Sequence, residues 1–212
     1  MPLNCEVYNP NQLEQLVPFL TQVPKWLILG GPADADEAQT AVRLWPEIRV
    51  LGAEPNPEMY DRQVLHDWPY AHVLLNKAFS DSIGYREMTF PVGSPRCSTF
   101  MEGRDGERNL VRTITIDAVV EYYGPVEDVL LWLDVEGHEL EALHGAERLF
   151  SSGKVLAVNV EVIPERAEEM LDVERFMLRH GMLIAHLWNS GTHYDGDKLH
   201  HHHDRVYVRG EK

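Results

Sequence analysis

The stretch Val129-Leu130-Leu131-Trp132-Leu133-Asp134-Val135-Glu136-Gly137-His138-Glu139 decides the fold. Val129 to Val135 is the most apolar strand in the chain, and it runs into an acidic turn at Gly137. Consecutive apolar residues mark a strand buried on both faces, so this one belongs at the centre of a sheet. Working outward, the downstream chain reads as a helix His138 to Phe150, a strand Val155 to Val162 and a helix Pro164 to His180, stopped by Gly181. Upstream lie a strand Lys25 to Gly30, a helix Ala33 to Trp45, a strand Ile48 to Glu54 and a helix Pro57 to Trp68 entered through Asn56 as N-cap. A third strand, Ala71 to Phe79, follows, then a more exposed one, Ile83 to Val92, a loop Gly93 to Asn109, and a strand end with a short helix over Thr113 to Tyr123. Strand–helix alternation at this spacing predicts parallel βαβ units. Two strands, Met182 to Trp188 and Asp204 to Arg209, close the chain, and the polar loop between them suits a hairpin. Asn11 to Gln22 is a leading helix stopped by Pro24, so residues 1–24 form a helical lead-in and 25–212 one α/β domain.

The 212 residues carry 19 Lys+Arg against 34 Asp+Glu, a formal charge of -15. Such a surface repels phosphate backbones and anionic membranes, which disfavours nucleic-acid and membrane partners. Two cysteines, Cys5 and Cys97, and no visible signal peptide or membrane span point to a reduced, cytoplasmic setting.

Three acidic residues at two strand ends carry the functional reading. Glu54 ends the second strand, where a carboxylate can accept hydrogen bonds from both hydroxyls of a ribose. It could equally cap the next helix. Asp134 and Glu136 end the central strand and, by a strand's two-residue period, stand on one side. Buried acids repel each other unless they meet a cation, a donor or water, so this pair points to function more than to helix capping.

The segment Val111 to Val162 resembles the core of the FkbM methyltransferase family. Thr115, Asp117, Asp134, Glu136, Gly137, Glu139, Leu143, Gly145, Ala146 and Glu161 match its motifs in order, as do Glu54-Pro55-Asn56-Pro57 and Asn76 to Asp81 with Gly84. The likeness runs over roughly residues 25 to 209. It implies a doubly wound, mostly parallel seven-stranded sheet ending in an antiparallel hairpin, the class I Rossmann-like methyltransferase fold. It also implies S-adenosylmethionine (SAM) as cofactor. Glu54 would hold the ribose, residues near Ala78 would flank adenine, Gly30 and Gly31 would underlie the methionine part, and Asp134 would lie near its amino group or the reacting centre. The implied acceptor is a hydroxyl on a sugar or another small natural product.

One departure stands out. The family's first loop, D-x-G-x-x-x-G, is replaced by Ile28-Leu29-Gly30-Gly31-Pro32-Ala33-Asp34-Ala35-Asp36. Asp34 or Asp36 could replace the lost acid, and the second glycine falls at Asp34 or Ala35. Among the histidines, His138 beside the acidic turn is a candidate base, its bland reading being a solvated first-turn residue. His193 and His200 to His203 lie on the final hairpin's loop, and their spacing alone specifies no metal site. Three readings follow: a SAM-dependent O-methyltransferase with Asp134, Glu136 and His138 at its reacting centre; a non-catalytic binding protein with a degenerate loop; and a metal-dependent enzyme using Asp134, Glu136 and histidines.

Overall fold

The computed structural model describes residues 12–32, 35–69, 72–91, 98–100, 105–124, 126–163, 166–195 and 198–210; at 67, 189–195 and 198–202 only the backbone is described. The order of elements is α1 (Gln12–Leu16), β1 (Trp26–Gly30), α2 (Asp36–Leu44), β2 (Arg49–Ala53), α3 (Pro57–Arg62), β3 (Val73–Leu75), β4 (Ala78–Phe79), β5 (Gly84–Phe90), β6 (Glu107–Ile114) and α4 (Ile116–Tyr123). It continues through β7 (Val129–Leu133), α5 (Glu139–His144), α6 (Glu147–Ser151), β8 (Val155–Val162), α7 (Ala167–Arg179), β9 (Met182–Asp195) and β10 (Lys198–Arg209). Seven strands form one sheet in the order β3-β2-β1-β7-β8-β10-β9, parallel except for β10. This is the doubly wound sheet with a C-terminal antiparallel hairpin. β7 is central and wholly buried: Leu130 and Trp132 pack with α1 and α2 on one face, and Val129, Leu131 and Leu133 pack with α4 to α7 on the other. A small second sheet, β4-β6-β5, flanks the main one.

The departures from the sequence reading have local causes. The leading helix turns into a 3-10 segment at Val17–Phe19, because Pro18 lacks the N–H an α-helix interior requires. The helix Pro57 to Trp68 ends as a π-helical turn, Gln63–Asp67. The third strand is not continuous: Asn76 donates to the carbonyls of Glu54 and Pro55, and beyond it β4 leaves to pair with β6. β6 begins at Glu107, inside the stretch read as loop. The helix His138 to Phe150 is two helices, because the carboxylate of Asp117 reaches over from α4 to accept from the N–H groups of Arg148 and Leu149 and caps α6. The polar loop of the final hairpin is strand for most of its length, since β9 and β10 stay paired out to Asp195 and Lys198.

Candidate functional site

From β1 the sheet order runs outward through β2 and β3 on one side and through β7 and β8 on the other. Ligands of doubly wound sheets bind at such a switch point, outside the carboxyl ends of the strands. Gly30 ends β1 beside Leu133 of β7, and Asp134 donates its backbone N–H to the Gly30 carbonyl at 3.2 Å. Gly31 has φ +72°, and a β-carbon there would lie 1.8 Å from the Asp134 carbonyl oxygen. The second glycine of the sequence pair is thus required both by backbone conformation and by close approach. Past Pro32, Ala35 is buried with φ 59° and ψ 17° and precedes α2. That left-handed backbone is one glycine favours, and Ala35 is one of the two positions, with Asp34, at which the resemblance puts the second loop glycine. Asp34 lies outside the described residues.

Glu54 follows the end of β2 and is 5% exposed. Its Oε1 accepts from the backbone N–H of Asn56 at 2.8 Å, yet burial pushes its carboxyl up to about 7. Capping of α3 falls to Asn56, whose Oδ1 accepts from Glu58 and Met59, so Glu54 is not the helix cap. Asn56 also donates to the Ser98 hydroxyl at 2.9 Å, bringing the chain at 98–100 across to the end of β2. Thr99, on that same segment, pairs with Thr89 and donates its hydroxyl to the Glu136 carbonyl. Ala78 is buried in an apolar cluster with Met88 and Val111.

The acidic turn differs from its reading as strand. β7 stops at Leu133, and Glu136 (φ 54°) and Gly137 (φ 89°) both adopt left-handed backbone, so a turn rather than strand alternation places the acids. Glu139 organises that turn: its Oε1 accepts from the N–H groups of Val135 and Gly137, both at 3.1 Å. Burial outweighs these donors and pushes the Glu139 carboxyl up to about 8. Asp134 is half-buried, and burial lifts its carboxyl well above the usual range, with further contributions from Glu136, Asp204, Glu139 and Glu37. Glu161 on β8 is raised by burial and by the same neighbours, Asp134 first. Asp204 on β10 pairs in register with Glu161 and accepts from Gln12 of α1 at 3.0 Å and Asn159 of β8 at 3.2 Å. Glu139 was legible in the E-G-x-E spacing, whereas only strand pairing brings in Asp204.

His138 is not a solvated first-turn residue. It is 2% exposed, with Nε2 3.0 Å from the Ser80 hydroxyl and Nδ1 3.5 Å from a Glu141 carboxylate oxygen. The Phe100 ring lies 4.2 Å from its own. Burial pushes the imidazole down to about 4, so it is neutral at physiological pH. It lines a cavity of about 550 Å³ with Arg86, Glu87, Phe100, Gly137, Glu141 and Arg166. Gly137 joins this cavity to the acidic turn. No group of three or more His, Cys, Asp or Glu able to hold a metal is found among the described residues.

The chain belongs to the FkbM methyltransferase family: the model of the methyltransferase FkbM domain matches residues 30–184. No curated protein matches it by sequence. Among solved structures it is similar to precorrin-6y C5,15-methyltransferase from Geobacter metallireducens GS-15, with 14% identity, TM-score 0.52, and coverage of 96% of this chain and 90% of that one. It is also similar to a candidate RNA methyltransferase from Pyrococcus horikoshii, with 12% identity, TM-score 0.53, and coverage of 94% and 82%. At these identities the likeness establishes the class I Rossmann-like fold. No helix among the described residues is long and apolar enough to cross a membrane.

Proposed function

We propose that the chain is a cytoplasmic, SAM-dependent O-methyltransferase acting on a hydroxyl of a saccharide or another small hydroxylated metabolite. The observation that carries this reading is the meeting of Gly31 with Asp134 at the switch point, with Glu54 at the neighbouring strand end. The residues present fit SAM. Glu54 offers a carboxylate to the ribose, the Gly30–Gly31 backbone leaves room beneath the methionine part, and Asp134 and Glu136 present acidic groups to the ligand's ammonium and sulfonium. The left-handed Ala35 keeps the shape of a glycine loop, which favours a working loop over a degenerate one. When bound, SAM supplies an activated methyl group.

The chain's own residues then orient and shield. Asp134 holds the cationic end, Glu136 reinforces that field, and the Glu139 carboxylate keeps the turn in shape. His138, a neutral imidazole in the cavity wall, faces the acceptor side, where removal of the hydroxyl proton is needed. The polar lining of Arg86, Glu87, Glu141 and Arg166 suits a polyhydroxylated acceptor. The formal charge of -15 favours a small molecule over RNA. Calorimetric titration with SAM tests the reading. Saturable 1:1 binding supports it, and absence of binding returns the chain to the non-catalytic alternative.

A further inference from the structure

Gln63 is wholly buried on the π-helical turn that follows α3. An amide side chain is costly to bury unless it is hydrogen-bonded, and a methionine would fill the same space without that cost. Gln63 Nε2 donates to the Pro32 carbonyl at 2.9 Å, thirty-one residues back in the first loop. Proline has no N–H, so this carbonyl is the only backbone polar group that Pro32 offers. The same carbonyl accepts from the Ala35 N–H at 2.6 Å, closing the turn in which Ala35 holds φ 59°. Pro32 would therefore be satisfied without Gln63, and the second bond fixes the place of the turn. L residues adopt such a backbone at a cost and keep it only where surrounding contacts hold it.

The segment that carries Gln63 is itself anchored. Trp68 donates its N–H to the Gln63 carbonyl at 2.7 Å, the five-residue step of a π-helix, a feature that recurs at functional sites. The Trp68 ring fills the space over Gly52 of β2, where a β-carbon would come within 2.4 Å of it. The loop is also tied to β2 from its other end, since Gly31 donates to the Ala53 carbonyl at 3.1 Å. We infer that Gln63 is a positioning residue for SAM, holding Pro32 and the left-handed turn at Ala35 in the arrangement that frames the methionine part of the cofactor. This role rests on the SAM reading of the site. It gives the loop that departs from D-x-G-x-x-x-G a device of its own: an amide from α3's end holds an alanine turn that glycine would adopt unaided.

The experiment is calorimetric titration with SAM of the full chain, of Gln63→Met, of Ala35→Gly and of the two changes combined, with folding checked by circular dichroism. Loss of one buried hydrogen bond to the loop should raise the SAM Kd about fivefold to tenfold in Gln63→Met. In the Ala35→Gly background the same change should cost less than about threefold, since glycine takes the left-handed turn without being held. Residues that act through one contact are non-additive, whereas independent sites add, so a merely structural glutamine would give equal losses in both backgrounds. A parental Kd in Gln63→Met, or equal losses in the two backgrounds, overturns the role. Gln63→Asn keeps the amide but draws it back by one methylene, and it replaces Gln63→Met, with the same expectations, should that variant not fold. Absence of SAM binding by the parental chain overturns the SAM reading and this role together, whereas parental binding with either of the two outcomes above overturns the role alone.

Discussion

Gly31 lies so close to Asp134 that a β-carbon on it would sit 1.8 Å from the Asp134 carbonyl oxygen. The contact joins the first loop to the acidic turn, so in the proposed site the cofactor side and the reacting side would share one backbone junction. Gly31→Ala adds left-handed strain of about 1–2 kcal/mol and an overpacking cost of about 1–3 kcal/mol. Denaturant unfolding should show a loss of about 2 kcal/mol or more, and calorimetry a weaker SAM complex. A variant as stable as the parent would mean that the two loops are not held together this way.

Ala35→Gly should leave the protein near its parental stability. Relief of left-handed strain, about 1–2 kcal/mol, is offset by unfolded-chain entropy of about 0.4–1 kcal/mol and by loss of a buried methyl worth about 0.8 kcal/mol. SAM binding should persist, because a glycine at 35 keeps the left-handed backbone of the loop. Ala35→Val should be clearly destabilised in the same melting assay. Loss of SAM binding in the glycine variant would show that the alanine has a role of its own.

SAM affinity should rise with pH through about 7. Burial holds the Glu54 carboxyl up at about 7, and in the proposed role ribose hydroxyls would donate to its ionised form, so binding would release a proton. Below pH 7 each unit should cost up to about tenfold in affinity. Glu54→Gln should flatten that dependence, and Glu54→Ala should weaken binding at least about tenfold, because charge-assisted hydrogen bonds are worth about 1.5–3 kcal/mol each. A parental pH profile in Glu54→Gln would remove the ribose assignment.

Folding stability should fall as pH rises from about 5 to 8.5. Glu139 is pushed up to about 8 in the folded chain, whereas an unfolded glutamate ionises near its ordinary value of about 4.3. Between those values the folded state binds more protons, so raising the pH favours unfolding. Glu54, Asp134 and Glu161 are shifted in the same direction and add to the effect. Melting curves across that range check it, and Glu139→Gln should make the slope shallower.

Asp134→Asn should lower turnover on a hydroxyl acceptor by more than about a hundredfold, a barrier increase of about 2.7 kcal/mol, with the melting temperature kept or raised. The amide preserves shape and relieves repulsion among Asp134, Glu161 and Asp204. Full activity would remove Asp134 from the reacting centre. A strongly destabilised variant would instead make it a structural residue.

Local pattern was enough for the order of strands and helices and for the strand-end positions of Gly30, Glu54 and Asp134. Burial on both faces is written in Val129 to Leu133, and Asn56-Pro57 carries its own helix start. Glu139 was readable for the same reason, since its carboxylate bonds to backbone within four residues. Contacts between distant segments were not readable. Asp117 breaks a helix some thirty residues away, Ser80 meets His138, and Asp204 joins the acidic group only because β10 inserts beside β8. The histidines show the division most clearly. Their number is a property of the sequence, but a strand's faces exist only once its register is set, and the pairing of His193 with His200 comes from tertiary hydrogen bonding that no local spacing encodes.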